Sequence, residues 1–154
     1  MKKITFLLLF LFVLLFTQAQ EDSPVHWTFK LSDTTNLMGL YEISMTAQID
    51  EHWHMYSQNL PSPDEGPLPT EFHYEPSEAY TIVGKTAEII PPISKFDDVF
   101  EVQVNYFDKK AEFKQLVSIK DKTATIKGYV SYMVCNESTC LPPIDVPFEV
   151  KLNK

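Results

Sequence analysis

Residues 132–143 read Tyr-Met-Val-Cys-Asn-Glu-Ser-Thr-Cys-Leu-Pro-Pro and contain both cysteines of the chain, Cys135 and Cys140. Apolar and polar residues alternate on both sides of this stretch, and a period of two predicts half-buried strands. The apolar positions are Val130, Tyr132 and Val134 before the cysteines, and Ile144, Val146, Phe148, Val150 and Leu152 after them. The stretch, called here the cysteine hairpin, therefore joins two predicted strands, with both sulfurs near its mouth.

The same alternation recurs along the chain and predicts a series of short strands. The predicted strands cover residues 25–31, 41–49, 52–57, 70–74, 80–83, 86–90, 100–106, 111–119, 124–134 and 144–152. Four prolines make residues 59–69 a loop. Since no helical pattern follows the N-terminus, the sequence predicts one all-β domain over residues 20–154, folded as an antiparallel sandwich.

The N-terminus has the pattern of an export signal. Lys2 and Lys3 precede an apolar run at residues 4–16, and small residues follow at Thr17 and Ala19. We expect cleavage after Ala19, which makes residues 1–19 a signal peptide. The apolar run is shorter than the roughly 20 residues of a membrane span, so no stable membrane insertion is expected after cleavage. The destination is a compartment such as the periplasm, in which disulfides persist.

The charge balance excludes one class of partner. The formal net charge is −8, and the loss of two lysines with the signal peptide would make it −10. All 13 basic residues are lysine, and no basic patch of the kind that nucleic-acid binders show is visible. The sequence therefore predicts no nucleic-acid partner, whereas the acidic balance favours solubility and attraction to basic partner surfaces.

Three interpretations of the cysteine pair follow from its spacing. A structural disulfide would close a loop of about six residues, which is worth only roughly 2 kcal/mol in the chain-entropy model. A zinc site would need two further ligands, and His52 and His54 lie far off in the sequence. A His-x-His pair on one strand face with Tyr56 could also hold copper, but a solvated face is the simpler interpretation, so no metal or other cofactor is predicted. Two interpretations of the cysteine pair therefore remain, a redox-active pair and a structural disulfide.

The cysteine hairpin resembles the active-site hairpin of the N-terminal periplasmic domain of the DsbD family. Trp-His-Met-Tyr-Ser-Gln at residues 53–58 and Pro-Leu-Pro-Thr-Glu-Phe at residues 67–72 are also similar to this family. The resemblance implies an immunoglobulin-like sandwich whose cysteines pass reducing equivalents from a membrane-embedded domain to thioredoxin-like periplasmic proteins. Both partners would act in trans. The best-known members have five residues between their cysteines, whereas this chain has four.

The resemblance also implies a cap loop, at residues 93–100. This stretch reads Ile-Ser-Lys-Phe-Asp-Asp-Val-Phe and shows no strand alternation. Phe96 or Phe100 would shield the cysteine pair, with Asp97 and Asp98 as the acidic residues of the cap. Shielding is chemically reasonable because access is one of the variables that set the rate of thiol exchange. In the alternative interpretation Phe100 is the first core residue of its strand and the two aspartates are turn residues.

The surroundings of the cysteines predict a reductant or relay. Glu137 lies between them, and a nearby carboxylate disfavours the thiolate. By resemblance Cys140 bonds to the partner and Cys135 resolves the mixed disulfide, while Tyr56 or His54 lines the partner groove. The predicted activity is thiol-disulfide exchange by an oxidoreductase of the protein-disulfide reductase type. The alternative function is a non-catalytic binding module with an inert disulfide.

Overall fold

The computed structural model describes residues 23–33, 40–62 and 64–151, which form eleven strands joined by turns. The strands are β1 Val25–Asp33, β2 Leu40–Ile49, β3 His54–Tyr56, β4 Glu71–Tyr74, β5 Tyr80–Glu88, β6 Ile93–Asp97, β7 Val102–Asp108, β8 Lys110–Ile119, β9 Thr125–Tyr132, β10 Val134–Cys135 and β11 Ile144–Lys151. Across these ranges the search for a helix of sufficient length and hydropathy to span a bilayer found none.

The strands form three hydrogen-bonded sheets, with every pairing antiparallel. The first has the order β1-β2-β8-β5, the second β10-β3-β7-β6 and the third β11-β9-β4. Met45 on β2 lies opposite Phe113 on β8, and Val146 on β11 lies opposite Val130 on β9. These registers place apolar residues of neighbouring strands on a common face.

The main core lies mainly between the first and third sheets and also includes Met55, Phe107 and Val134 of the second sheet. Apolar positions of β2 that alternate in the sequence are all buried: Tyr41, Ile43, Met45, Ala47 and Ile49. Aromatic rings join the two layers, since Phe29 stacks on Phe148 with ring centroids 4.7 Å apart and Phe72 lies 5.0 Å from Phe113. The predicted antiparallel sandwich is therefore confirmed.

The second sheet carries a smaller apolar cluster of its own. Tyr56, Val104 and Cys135 are buried in this cluster. Partly buried residues that pack against it are Leu60, Phe100, Val102, Tyr106, Met133 and Cys140. The cysteines thus belong to the second sheet and its cluster rather than to the main core.

Several predicted strand limits are wrong for local reasons. In place of the two strands predicted at residues 80–83 and 86–90 there is one, β5, which ends at Glu88 and whose pairing with β8 shifts around Gly84, a glycine with a φ of 72°. His52 has a φ of 70° in the preceding turn, so β3 begins only at His54. The predicted strand over residues 124–134 is divided into β9 and β10 at Met133. Leu152 and the predicted signal peptide lie outside the described residues.

Candidate functional site

The cysteine hairpin is closed by a disulfide between Cys135 and Cys140. Asn136 organises the four intervening residues, because its Oδ1 accepts hydrogen bonds from the backbone N–H groups of Ser138 (2.9 Å) and Thr139 (2.8 Å). The Asn136 N–H in turn donates to the Thr139 carbonyl at 2.9 Å. Asparagine favours such turns because its short side chain reaches backbone groups two residues ahead. The four-residue spacing therefore forms an ordered turn.

The two sulfurs differ in exposure. Cys135 ends β10, pairs with His54 on β3 and is only 2% exposed. Cys140 is partly exposed, and the next residue, Leu141, donates its N–H to the Val134 carbonyl at 2.9 Å. The hairpin thus holds one sulfur inside the small cluster and presents the other at the surface.

Residues 93–100 are not a loop throughout. Ile93–Asp97 forms the edge strand β6, which pairs with β7, and a turn follows it. Phe96 is 47% exposed and lines the groove beside the cysteines. Phe100 lies in that turn, is half-buried and packs against the cluster of Cys135; Glu101, with a φ of 57°, separates it from β7, so Phe100 is not the first residue of its predicted strand. The segment predicted as a cap is therefore a strand followed by a turn, with Phe96 at the groove and Phe100 beneath it.

Asp97 connects the cap turn to the centre of the site. Its Oδ1 accepts hydrogen bonds from the N–H groups of Val99 (2.9 Å) and Phe100 (3.1 Å). Its Oδ2 accepts a hydrogen bond from the hydroxyl of the fully buried Tyr56 at 3.1 Å. Burial, with Asp97 adding to it, raises the pKa of Tyr56 above its ordinary value of 10.0. Tyr56 therefore stays protonated and able to donate at neutral pH.

His54 is joined to this hydrogen-bonded chain and lies opposite Cys135 in the pairing of β3 with β10. Its Nε2 lies 3.3 Å from the Tyr56 hydroxyl, and its ring packs against Tyr106 with centroids 5.1 Å apart. Desolvation lowers the pKa of His54 from 6.5, and Lys95 adds to this effect whereas Asp97 opposes it. The imidazole is therefore neutral at physiological pH.

These side chains line one open groove of about 770 Å³. Both cysteines lie in it, and its rim is mainly acidic. The acidic lining residues are Asp50, Glu51, Asp97, Asp98, Asp108 and Glu137, against the lysines Lys95 and Lys109. Within the described ranges, no three His, Cys, Asp or Glu side chains are grouped as ligands for a metal ion. The groove thus combines an accessible disulfide with a negative rim.

Most of the site residues named from the sequence meet in this groove. Cys135, Cys140, Tyr56, Phe96, Asp97, Asp98 and Glu137 all line it, whereas Phe100 lies in the cluster below. His52 lines it from a turn rather than from the predicted strand face. Sequence reasoning missed Lys95, Tyr106 and Asp108, for which no local signal exists. It also missed Asn136, although an asparagine at the start of a turn is a recognisable signal.

Comparisons with known proteins agree with this architecture. The sequence matches the family model described as "Thiol:disulfide interchange protein DsbD, N-terminal" over residues 22–152. No curated protein matched the chain.

Three solved structures are similar to this chain at identities that show the fold alone. The reduced N-terminal domain of DsbD from Neisseria meningitidis has 17% identity and a TM-score of 0.53, covering 73% of this chain and 78% of its own. The N-terminal periplasmic domain of ScsB from Proteus mirabilis has 17% identity and a TM-score of 0.57, with 84% and 46% covered. The complex of the DsbD and PilB N-terminal domains from Neisseria meningitidis matches with 14% identity, a TM-score of 0.51 and 80% of both chains covered.

The neighbours confirm the immunoglobulin-like sandwich predicted from the sequence. The family match spans every residue that the structure describes, including the cysteine hairpin and residues 93–100. Together with the bonded cysteine pair, it supports thiol-disulfide exchange as the general chemistry of the chain. The chain therefore belongs to the family of the N-terminal domain of the thiol:disulfide interchange protein DsbD.

Proposed function

We propose that this domain relays reducing equivalents in the periplasm through reversible formation of the Cys135–Cys140 disulfide. The observation that carries the proposal is a disulfide in an open groove with one sulfur partly exposed and the other buried. An inert disulfide would need no groove around it. The location rests on the expected signal peptide at residues 1–19 and on the periplasmic domain among the structural neighbours.

The difference in exposure supports a role for each cysteine. A donor thiolate attacks the Cys140 sulfur, the S–S bond breaks, and Cys135 departs as a thiolate. The donor's second thiol then displaces Cys140, which leaves the domain reduced and the donor oxidised. In the second half of the cycle the Cys140 thiolate attacks an acceptor disulfide, and Cys135 resolves the mixed disulfide. Cys140 is the partner-bonding sulfur because incoming groups can reach it.

The partners proposed are a membrane-embedded donor domain and thioredoxin-like acceptors, both acting in trans. The complex of the related DsbD N-terminal domain with the PilB N-terminal domain supports a protein partner for this domain. The acidic rim, which includes Asp98 and Glu137, favours acceptors whose surface around the reactive cysteine is basic. Such complementarity mainly accelerates encounter and selects the partner.

The reduction potential of the purified domain tests the proposal. Equilibration against glutathione or dithiothreitol buffers is expected to give a value of roughly −180 to −270 mV, the range of known exchange proteins. A value below about −300 mV, without exchange with a reduced thioredoxin-like protein, would instead indicate a binding module held by a structural disulfide.

In the proposed cap, Asp97 holds the turn in place and Phe96 restricts access to the disulfide. Asp97→Ala removes three hydrogen bonds, two to the turn and one to Tyr56. Bonds to a carboxylate are worth about 1.5–3 kcal/mol each, so the turn should open more often. We expect dithiothreitol to reduce the disulfide about tenfold faster in this variant.

Asp98→Ala is the matched control, since Asp98 is an exposed neighbour that lines the same groove. Its reduction rate should stay within about twofold of the wild type. Equal rates for Asp97→Ala and the wild type would show that the turn does not limit access to the disulfide.

A further inference from the structure

We propose that the His54 imidazole accepts the proton of the Cys135 thiol when Cys135 resolves a mixed disulfide. The inference rests on the proposed function and assigns a proton acceptor to its resolving step. His54 lies on β3, directly opposite Cys135, the proposed resolving cysteine. That position makes the imidazole part of the exchange chemistry as well as a wall of the groove.

The position of His54 comes from the pairing of β3 with β10. His54 and Cys135 are register partners, and Met55 and Val134 form the next pair. Side chains of directly opposed residues in an antiparallel pair project from the same face, with Cβ atoms about 4.5–5.5 Å apart. Since both residues line the groove, this shared face is the groove side of the sheet.

The hydrogen-bonded chain sets the tautomer of His54. The only hydroxyl hydrogen of Tyr56 is donated to Asp97 Oδ2, so the Tyr56 oxygen is left as an acceptor. Nε2 of His54, 3.3 Å away, must then be the donor of that contact. In a neutral imidazole the other nitrogen is an acceptor, and Nδ1 therefore keeps a lone pair that can take a proton.

Two carboxylates in the groove, those of Asp97 and Glu137, are less suited than His54 to accept the proton of Cys135. Both carboxylate oxygens of Asp97 are occupied, one by Tyr56 and the other by the turn N–H groups. Glu137 lies on the exposed part of the hairpin. Titratable or charged groups that share the groove with His54 or pair with it come from every element around it. They are Asp50, Glu51 and His52 in the turn before β3, Tyr56 on β3, Lys95 and Asp97 on β6, Asp98 in the turn after β6, Tyr106 and Asp108 on β7, Lys109 after β7, Cys135 on β10, and Glu137 and Cys140 in the hairpin. Because burial keeps His54 neutral near physiological pH, its Nδ1 is ready to accept.

The resolving step then balances as follows. The Cys135 S–H bond breaks, and its proton goes to Nδ1 of His54. The freed sulfur electron pair forms the bond to Cys140, while the bond between Cys140 and the partner sulfur breaks and the partner leaves as a thiolate. In this step the Cys135 sulfur is oxidised to the disulfide level and the departing partner sulfur is reduced to a thiolate; together with formation of the mixed disulfide, the cysteine pair loses two electrons and the partner disulfide gains them. In the opposite direction the protonated imidazole returns the proton to Cys135 as it leaves.

The ionised fraction of the thiol sets the scale of the effect. A thiol with an ordinary pKa of about 8.5 is only about 3% ionised near pH 7. For such a thiol, a base that removes the proton can raise the rate by up to about 30-fold, and the possible gain is larger for a thiol that is less ionised. We expect His54→Gln to slow resolution by about tenfold near pH 7 and to have almost no effect well above the thiol pKa, where the thiolate is already formed.

The test uses oxidised glutathione as the disulfide probe and the fully reduced domain as the protein. Samples are quenched with acid, and mass spectrometry follows both the glutathione adduct on Cys140 and its conversion to the internal disulfide. His73→Gln is the matched control, because His73 lies on β4 and stacks on Tyr129 outside the groove. Adduct formation should be unchanged in both variants, and adduct decay should slow only in His54→Gln.

The dependence on pH separates chemistry from structure. A proton acceptor predicts a wild-type decay rate that is nearly flat between the His54 and thiol pKa values, and a His54→Gln rate that rises about tenfold per pH unit. Equal slowing at every pH, or no slowing at all, would overturn the inference and leave the proposed function standing. A wild-type domain that never forms the glutathione adduct would remove the proposed function and the inference with it. Recovery of His54→Ala by added imidazole gives a second, independent readout in support.

Discussion

Replacing Cys135 with alanine is expected to turn the domain into a trap that holds one partner sulfur on Cys140. The variant keeps the partly exposed cysteine and lacks the one that releases the partner. Reaction with oxidised glutathione should therefore stop at a stable adduct of one glutathione per chain, whereas the wild type should pass through this adduct to the internal disulfide. Mass spectrometry of the intact protein measures the adduct directly.

Cys140→Ala is the matched variant for this experiment. It retains only Cys135, which is 2% exposed at the end of β10. Because the rate of exchange depends on access to the sulfur, we expect adduct formation to be slower by about a hundredfold or more. Equal reactivity of the two single-cysteine variants would contradict the roles assigned to Cys135 and Cys140.

Phe113→Ala is expected to cause the largest loss of stability. The ring of Phe113 is fully buried on β8 and contacts Trp27, Phe72 and Phe107, with ring centroids 5.9, 5.0 and 5.7 Å away. Phe→Ala substitutions in cores cost about 3–5 kcal/mol, a large part of the 5–15 kcal/mol by which typical domains are stable. Urea denaturation of the oxidised protein should show a much lower midpoint with an unchanged slope.

The control for this prediction lies on the same strand. Leu116 is 41% exposed on β8, so Leu116→Ala removes a large apolar side chain without opening a cavity. Its cost should stay within about 1 kcal/mol. Similar losses for the two variants would show that Phe113 is not a centre of the main core.

The parts of the fold that alternate in the sequence were predicted well. On β2 every second side chain enters the core, and the burial of Ile43 and Met45 repeats the sequence pattern. β6 was missed because nearly all of its side chains are exposed, so the strand has no buried face to impose a period of two. The division of β5 was wrong because a bulge at Gly84 interrupts its pairing while the strand continues.

For the candidate site, too, the sequence predicts only what neighbouring residues along the chain determine. Local sequence located the cysteines and their turn, but the charge near Cys135 was judged from residues 136–139 alone. His54 comes from a strand about 80 positions earlier and is placed opposite Cys135 by β-pairing. Register across distant strands is set by the whole sheet, so no motif in the hairpin could have indicated this neighbour.

The location of the disulfide in a small cluster, apart from the main core, has a consequence for the redox cycle. Cys135 packs with Tyr56 and Val104 on the second sheet, whereas Phe113 and its neighbours hold the first and third sheets together. Opening a bond that closes so short a loop loosens only the local cooperative unit around it, because such units open with free energies well below that of global unfolding. In the proposed cycle we therefore expect the domain to pass between its oxidised and reduced forms while the main core stays closed to proteases.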